Sequence, residues 1–342
     1  MVSKAKKLRM NNSIFPYERG KLLAAAIAEP GPVLGIDIGG TKLAAGVAAT
    51  DGKVLSYTRQ PTPADLDAEG LLGAVLSVSR AARHESGVEP VAVGVGCGGP
   101  IFFEEDIVSP LHMPAWRGFP LRPRLEASLG LPAVLDNDAK AFALGEALFG
   151  AGRGARYMLG MVVSTGIGGG IVVNGRLLDG AHGNGGHIGH TIVSVRGPRC
   201  FCGAIGCLTA YAAGRGLSAR AMLALKRGAT STLATLPPGS LTGRDIVEAA
   251  ASGDKLAGRL LREAATALGR GIASAANILD LDRVVLGGGL LNAGELLLAP
   301  LRRELRRRAR LAFSRHVDLR TSELGKEAGV VGAASLILQH WQ

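Results

Sequence analysis

Residues 33–42 read Val-Leu-Gly-Ile-Asp-Ile-Gly-Gly-Thr-Lys, and this stretch decides the fold class. Its apolar part, Val33–Ile38, is typical of a buried strand, and it runs directly into Gly39-Gly40. Paired glycines after a strand let the backbone approach a phosphate closely and point N–H groups at it. The stretch therefore indicates a phosphate-binding turn, with an ordinary hairpin between two strands as the alternative.

The polar residues of this stretch fit the same interpretation. Thr41 supplies a hydroxyl donor beside Lys42, and Asp37 stands at the strand end, where its carboxylate can hold Mg²⁺ through water. Asp followed by Gly-Gly-Thr-Lys is a more specific signal than a Gly-Gly turn alone. The candidate nucleotide ligands here are Asp37, Gly39, Gly40, Thr41 and Lys42.

The unit of an apolar strand that runs into glycines recurs in the second half of the chain. Tyr157–Ser164 leads into Thr165 and a predicted glycine turn, Gly166–Gly170. No Gly-Lys-Ser/Thr closes this turn as in a Walker loop, and a strand follows where a Rossmann turn has a helix. Two such hairpins facing each other would clamp a nucleotide between two lobes. The candidate ligands here are Thr165, Gly166, Gly168 and Gly169.

A third strand, Arg283–Leu286, ends in three glycines before a helical segment. Small residues at Gly287, Gly288 and Gly289 would let a flat adenosine lie against the backbone, and close helix–strand packing explains them equally well. Strands with glycine ends alternate with helices in both halves of the chain. This pattern predicts an α/β architecture with two lobes.

Composition places the chain among globular proteins. Of its 342 residues, 47% are hydrophobic and 20% are charged, which excludes a disordered chain. No apolar run approaches the roughly 18–20 residues of a membrane span. The apolar stretch Leu22–Ala28 lies at the short limit for a signal peptide. We therefore expect a cytoplasmic protein.

The formal net charge of +11 leaves two interpretations. A basic balance fits nucleic acid or an anionic substrate, but charge runs of this length are also common on solvated tails and helix faces, which is the interpretation we favour. Aromatic residues make up only 4%, which argues against stacking platforms for single-stranded nucleic acid. The basic residues concentrated near the ends are Lys4, Lys6, Lys7, Arg9, Arg302, Arg303, Arg306, Arg307, Arg308 and Arg310.

Asp136-Asn137-Asp138 precedes a predicted helix, Ala139–Leu148. A carboxylate at a helix start, backed by an amide, can accept a proton from a substrate hydroxyl. Asn and Asp are also frequent helix caps, and by itself the motif favours a cap.

Three of the four cysteines lie within eight residues and follow a histidine, in the order His190, Cys200, Cys202 and Cys207. Three thiolates and an imidazole complete a tetrahedral zinc site, which would be structural because no position is left open. Buried free thiols are the alternative.

Taken together, these motifs resemble the ROK family, named for repressors, open reading frames and kinases. The resemblance covers about residues 33–338 and rests on motifs in the family's order: Asp-x-Gly-Gly-Thr-Lys, Asn-Asp, Thr-Gly-x-Gly-Gly-Gly, Gly-His and Cys-x-Cys-Gly-x-x-Gly-Cys. It implies a two-lobed actin-like, hexokinase-like ATPase fold with ribonuclease H-like lobes. We expect a basic arm at residues 1–32, a smaller lobe at 33–138 plus 326–342, and a larger lobe at 139–325.

The resemblance also implies roles. Asp138 matches the family's general base, and Asn137 matches a sugar-hydroxyl ligand, with Gly99 expected near the same sugar. The glycine motifs match the sites for ATP phosphates and adenosine. His190 matches both a zinc ligand and a residue that faces the sugar.

Two departures put the sugar in doubt. The family usually has Glu where this chain has His187, in His187-Ile188-Gly189-His190, and again where it has Thr209. A neutral imidazole both donates and accepts hydrogen bonds, whereas a carboxylate only accepts. The His-Ile-Gly-His-Thr stretch is similar to N-acetylmannosamine kinases, but Trp116–Leu121 is more similar to the family's glucokinases.

The sequence therefore predicts an ATP- and Mg²⁺-dependent kinase that phosphorylates the 6-hydroxyl of a hexose or N-acylhexosamine. Two alternatives are a sugar-responsive transcriptional regulator and a sugar-binding protein with impaired catalysis. Only about 32 residues precede the first strand, too few for the winged helix of ROK repressors. By resemblance we expect a homo-oligomer, a dimer or tetramer, and no nucleic-acid partner.

Overall fold

The computed structural model describes residues 16–111, 113–237 and 239–342. The predicted basic residues of the N-terminal tail lie outside this part, and the end of the arm forms helix α1, Pro16–Ala26. No helix among the described residues combines the length and hydropathy needed to cross a membrane. The chain divides into two compact units: unit 1 holds residues 1–156, 170–186 and 322–342, and unit 2 holds residues 157–169 and 187–321. The lobe boundaries at 138/139 and 325/326 stay a prediction.

The first sheet contains five strands in the order β3-β2-β1-β4-β7. Strand β2 is antiparallel to both β1 and β3, and β1, β4 and β7 are parallel to one another. A separate two-stranded ribbon consists of β5 and β6. The bounds are β1 Val33–Ile38, β2 Lys42–Ala48, β3 Thr58–Pro61, β4 Ala92–Cys97, β5 Ile101–Phe102, β6 Ile107–Val108 and β7 Ala133–Asn137.

The second sheet has the same pattern of strand order, β10-β9-β8-β11-β12. Its strand β11 is parallel to β8 and β12, and β10 is antiparallel to β9. Two sheets of the same order agree with the recurring strand-and-glycine unit in the sequence, and the α/β class is confirmed. The bounds are β8 Tyr157–Val163, β9 Ile167–Val173, β10 Arg176–Leu177, β11 Arg283–Gly287 and β12 Asp318–Thr321.

The helices begin and end where local chemistry dictates. Asp67 accepts a hydrogen bond from the Gly70 N–H at the start of α2, and Gly87 ends that helix in the left-handed region. Thr242 and Asp245 form a capping box on α7. The bounds are α2 Ala68–Ser86, α3 Leu121–Leu129, α4 Asp138–Phe149, α5 Leu208–Ala212, α6 Gly214–Lys226, α7 Gly243–Ala251, α8 Lys255–Leu279, α9 Glu295–Arg308 and α10 Ala328–Leu338.

A row of glycines across the first sheet explains part of the high glycine content. Gly35 pairs with Gly46 on one side and with Gly94 on the other. A Cβ at Gly35 would lie 2.1 Å from the Val330 carbonyl oxygen of α10. Residues of β1 alternate between the two sheet faces, so Leu34, Ile36 and Ile38 contribute instead to the core cluster that includes residues of α2 and α3. The missing side chains let α10 pack directly on the sheet backbone.

Two predicted elements are wrong in their extent. The sequence predicts a strand over Val54–Arg59, whereas the structure has an isolated bridge at Val54 and a strand at Thr58–Pro61. The predicted turn Gly166–Gly170 ends early because β9 begins at Ile167. Packing explains the second error: a Cβ at Gly170 would lie 2.8 Å from the Lys140 Cα of α4, so the glycine serves close packing within a strand.

Candidate active site and metal cluster

In unit 1, the parallel register of the first sheet brings polar residues to one edge. Asp37 pairs with Gly96 of β4, and Gly96 pairs with Asp136 of β7. One residue further along, Cys97 pairs with Asn137. Because the carboxyl ends of parallel strands meet at the same edge, Asp37 and the first residue of α4, Asp138, come close together although about a hundred residues separate them in sequence.

Asp138 is the half-buried carboxylate at this edge. A Cβ at Gly96 would lie 3.3 Å from the Asp138 Cα, so the glycine lets the start of α4 sit close to β4. Burial and the neighbouring charge of Asp37 together raise the pKa of Asp138 to about 6. A carboxylate with a pKa near 6 is ionised at neutral pH and is basic enough to accept a proton from a hydroxyl group.

Asn137, and not Asp138, is the N-cap of α4. The Asn137 Oδ1 accepts hydrogen bonds from the backbone N–H groups of Ala139, at 3.0 Å, and Lys140, at 3.4 Å. The Asp138 Oδ1 also accepts a hydrogen bond from the Ala139 N–H, at 2.9 Å. Asn137 thus holds the cap position, and the catalytic role of Asp138 stays a prediction. Gly99 lies next to the Asn137 amide: a Cβ there would be 3.5 Å from Nδ2.

The first glycine motif forms a tight hairpin turn. The Gly39 N–H donates to the Lys42 carbonyl oxygen at 2.9 Å, which leaves Gly40 and Thr41 at the exposed tip. The Lys42 ammonium contacts the Asp37 carboxylate at 3.0 Å. The pair places one cation and one anion at the base of the turn.

The second and third glycine motifs lie together in unit 2. Gly288 has φ +100°, and a Cβ there would lie 2.4 Å from the Val163 carbonyl oxygen, so only glycine fits where the turn after β11 crosses the end of β8. The next turn carries Thr165 and Gly166, and the carbonyls of Ser164 and Thr165 accept from the first N–H groups of α6. The structure thus brings the segments around Thr165 and Gly288 together by backbone packing.

The predicted metal ligands converge within unit 2. One ligand atom from each of His190, Cys200, Cys202 and Cys207 lies within 4.8 Å of the others. The Cys200 Sγ is 3.9 Å from the His190 Nδ1, and the Cys202 Sγ is 3.7 Å from the Cys207 Sγ. Ligands about 2.3 Å from a tetrahedral zinc ion are about 3.8 Å apart, so these separations fit the ion. The three cysteines of the cluster are free thiols, as is Cys97.

Burial and the neighbouring His187 lower the pKa of His190, which favours the neutral imidazole that a metal requires. We call residues 187–207 the metal loop.

The residues that replace the family's two glutamates differ in exposure. His187 is exposed, whereas Thr209 is 2% exposed and donates a hydrogen bond to the Gly189 carbonyl oxygen at 2.8 Å. Thr209 therefore ties the metal loop to α5.

Trp116 belongs to the core of unit 1. Its side chain is fully buried, stacks on Phe119 at 5.0 Å and donates from Nε1 to the Ala68 carbonyl oxygen. The two aromatic residues of the glucokinase-like stretch Trp116–Leu121 therefore serve packing in unit 1.

Lys140 is a further polar residue of this region that no motif marks. It is buried, and its ammonium lies 2.9 Å from Asp136 Oδ2 and 3.0 Å from Asp179 Oδ1. No sequence signal points to this pair, because Asp136 lies in β7 and Lys140 in the first turn of α4, and the turn from strand to helix brings them together.

The chain is similar to known sugar kinases over most of its length. The chain is 37% identical to a glucokinase of Streptomyces coelicolor over 90% of this chain and 97% of the relative. It is 36% identical to an N-acetylmannosamine kinase of Shigella flexneri over 89% and 97%. Among solved structures, the ROK family glucokinase of Streptomyces griseus, determined in complex with glucose and AMPPNP, superposes with a TM-score of 0.76 at 37% identity and covers 90% of this chain and 99% of that one.

The solved structures similar to this chain include ROK sugar kinases with the two-lobed fold, which confirms the fold that the motifs imply. The profile of the ROK family matches residues 33–340. The chain belongs to the ROK family.

Proposed function

We propose that this protein transfers the γ-phosphate of ATP to the 6-hydroxyl of a hexose or an N-acylhexosamine, with Asp138 as the general base. ATP-dependent sugar kinases are the relatives over about nine-tenths of the chain. The observation that carries the catalytic assignment is the Asp138 carboxylate itself. It is half-buried, its pKa is raised to about 6, and a different residue serves as the helix cap.

The proposed step is a single in-line transfer. Asp138 accepts the proton of the 6-hydroxyl as that oxygen attacks the γ-phosphorus, and ADP leaves with the bridging oxygen. At pH 7.5 a carboxylate with a pKa near 6 is more than nine-tenths ionised, so the base is ready without further activation. The Asn137 side-chain oxygen accepts the cap hydrogen bonds, so the amide N–H₂ group can donate to a sugar oxygen.

ATP would be held by the glycine motifs. The exposed tip at Gly40 and Thr41 presents backbone N–H groups and a hydroxyl to phosphate oxygens, and Lys42 adds a positive charge. Thr165 and Gly166, in the exposed turn before β9, would serve a phosphate in the same way, whereas Gly168 and Gly169 lie within that strand. Gly287–Gly289 would face the adenosine. Mg²⁺, when bound, neutralises charge on the transferring phosphoryl group, and the half-buried Asp37 carboxylate would orient its water ligands.

Zinc is the metal that the cysteine cluster fits. Three thiolates and one imidazole are its usual structural ligands, and the separations between ligand atoms suit a tetrahedron. A bound zinc ion supplies crosslinks here rather than a reactive water, because the protein fills all four positions. His190 and His187 would then face the sugar from a fixed loop.

The identity of the sugar rests on His187. A glutamate at this position accepts from two hydroxyls, whereas an imidazole both donates and accepts and therefore suits an acetamido oxygen as well. The relatives include kinases of both sugars at nearly equal identity, 37% and 36%. We therefore propose that the acceptor is glucose or N-acetylmannosamine.

Coupled ADP release across a sugar panel tests the proposal. With ATP and Mg²⁺, the panel holds glucose, mannose, fructose, allose, glucosamine, N-acetylglucosamine and N-acetylmannosamine, with Asp138→Asn as the control. Turnover of at least one sugar that Asp138→Asn abolishes supports the proposal. Glucose leading the panel would mean that His187 replaces the glutamate without changing the substrate, and an N-acylhexosamine leading would tie His187 to the C2 substituent. No turnover by a folded, metal-loaded protein would contradict the kinase assignment and favour a sugar-binding protein.

The comparisons do not favour the regulator alternative. A ROK family transcriptional regulator superposes with a TM-score of 0.76 but is 28% identical, against 37% for the glucokinase of Streptomyces coelicolor. Tight binding to a specific DNA duplex at physiological salt would revive it. A cytoplasmic location, the absence of a nucleic-acid partner and assembly into a dimer or tetramer stay proposals. Size-exclusion chromatography with light scattering tests the assembly.

A further inference from the structure

A buried lysine ammonium group belongs to the same first helical turn as the proposed base. Lys140 stands two residues after Asp138 on α4, and its side chain is 1% exposed. The ammonium donates to Asp179 Oδ1 at 3.0 Å and to the Gly183 carbonyl oxygen at 2.9 Å, and it contacts Asp136 Oδ2 at 2.9 Å. Two of the three ammonium hydrogens are used in these hydrogen bonds, and the Asp136 carboxylate balances the charge as an ion pair.

Two of the three oxygens belong to one short segment, residues 179–186, which we call the tether segment. It folds on itself: the Gly183 N–H donates to the Gly180 carbonyl oxygen, and the Gly185 N–H donates to that of Asp179. Lys140 therefore grips the segment at its first residue and again at its middle. The next residue along the chain is His187, the proposed sugar ligand.

The other side of the tether segment is also fixed within unit 1. Gly183 has φ +74°, and a Cβ there would collide with the Phe103 ring, so glycine is required on both grounds. The Asn184 Nδ2 donates to the Ile101 carbonyl oxygen of β5 at 3.3 Å. The segment is thus held between the β5 region and α4, and Lys140 supplies the contact from α4.

We propose that Lys140 is a positioning residue for the sugar site: it holds the tether segment against the first turn of α4 and thereby fixes where the chain enters His187. This inference rests on the proposed kinase function and adds a residue to it. Burying an ion pair is a poor way to gain stability, since apolar side chains of similar volume do so as well or better. The charged contacts instead fix a geometry, because three oxygens at set positions define one position for the ammonium group and hold the tether segment in one place.

Asp179→Asn tests the proposal while leaving Lys140 and Asp136 paired inside the fold. The amide keeps the shape of the side chain and removes the charge that orients it, so the tether segment loosens. We expect the KM for the sugar to rise about tenfold, which is the worth of one charge-assisted hydrogen bond, with kcat and the KM for ATP within about twofold of the wild type. Amide hydrogen exchange should become faster across residues 179–190 in this variant.

Two further variants separate positioning from general stability. Asp179→Glu restores the charge at a site that is 19% exposed and should recover most of the affinity for the sugar. Asp65→Asn removes a carboxylate from an exposed position elsewhere in unit 1 and should leave every kinetic constant unchanged.

A lowered unfolding temperature of Asp179→Asn with an unchanged KM for the sugar would reduce Lys140 to a structural role and overturn the proposal. A wild-type protein that turns over no sugar would contradict the kinase function instead. Even then, unchanged hydrogen exchange across residues 179–190 in Asp179→Asn would overturn the tether by itself.

Discussion

The edge of the first sheet and the metal loop build their polar sites in opposite ways. At the sheet edge, Asp37 and Asp138 are placed by the register of three parallel strands, with buried apolar residues underneath. In the metal loop, the buried apolar cluster consists of only Cys200, Cys207 and Ala210 among the described residues. Val195 is 89% exposed and Phe201 59% exposed.

This difference indicates what each region depends on. A site held by sheet register keeps its geometry when one polar group is removed, because the strands carry it. A loop with almost no apolar core depends on the bonds among its four ligands, as small metal-binding domains do. Substitutions at the sheet edge should therefore change the chemistry without unfolding any part of the protein. Substitutions of the metal ligands should release the metal and disorder the metal loop, and activity should fall as a consequence.

The largest expected effect is that of Asp138→Asn on turnover. The amide cannot accept the hydroxyl proton, so kcat should fall by at least about a thousandfold, while sugar binding by calorimetry stays within a few fold. The folded-state pKa is raised, so ionising Asp138 destabilises the fold as pH rises from about 4 to about 6 and above. At pH 7.5 the variant should therefore be as stable as the wild type or more stable, by roughly 1–3 kcal/mol.

Circular dichroism and chemical denaturation at pH 4 and pH 7.5 check the second half of this prediction, because the stability gain should vanish at the lower pH. Near-normal turnover by the variant would remove Asp138 from its role as base.

Cys207→Ser should break the metal loop. We expect loss of the bound metal and of most activity, because one thiolate fewer weakens the site by several kcal/mol and the loop has little else to hold it. Elemental analysis by mass spectrometry should find about one zinc ion per wild-type chain and much less in the variant. Far-UV circular dichroism should change little.

Cys97→Ser is the matched control for metal content alone, because Cys97 lies outside the cluster but pairs with Asn137 at the edge of the first sheet. Full activity of a zinc-free wild-type protein would show that the loop does not depend on the metal.

The pH dependence of turnover should report the environment of Asp138. Below about pH 6, kcat/KM should fall about tenfold per pH unit as the base is protonated, and it should level off above pH 7. The charge of Asp37 contributes to the raised pKa, so Asp37→Asn should move this acidic limb to lower pH whatever it does to the maximal rate. An acidic limb that stays in place in Asp37→Asn would contradict the coupling between the two carboxylates.

Thr209→Val should have the smallest effect. It leaves the Gly189 carbonyl without its hydrogen-bond donor and should lower the free energy of unfolding by about 1–2 kcal/mol. Thermal denaturation measures it. Thr266→Val serves as the control, because the Thr266 hydroxyl donates to a carbonyl of its own helix at an exposed site and should cost much less. Equal effects of the two variants would show that the Thr209 bond does not stabilise the metal loop.

Local chemistry was enough to predict much of this protein. The glycine-ended strands Val33–Ile38 and Arg283–Leu286 were predicted within a residue of their observed ends, because apolar runs and glycines mark them directly. That His190, Cys200, Cys202 and Cys207 cluster was also predictable from type and spacing, since thiolates and an imidazole have few other common uses together.

Other features depend on contacts between residues distant in the sequence. Nothing near Gly170 indicates that it lies inside a strand against α4, so a turn was predicted there.

The sequence by itself determined the α/β class, the family and the set of candidate residues, because those follow from local pattern and motif. Only the tertiary structure decided that Asn137 is the N-cap of α4 and that Asp138 is the first residue of the helix. It also raised the pKa of Asp138, through burial and through Asp37, and it joined Lys140 to Asp179. The physical reason is that charge, burial and hydrogen bonding are properties of neighbours in space, and the sheet register that makes these residues neighbours is set by packing across the whole unit.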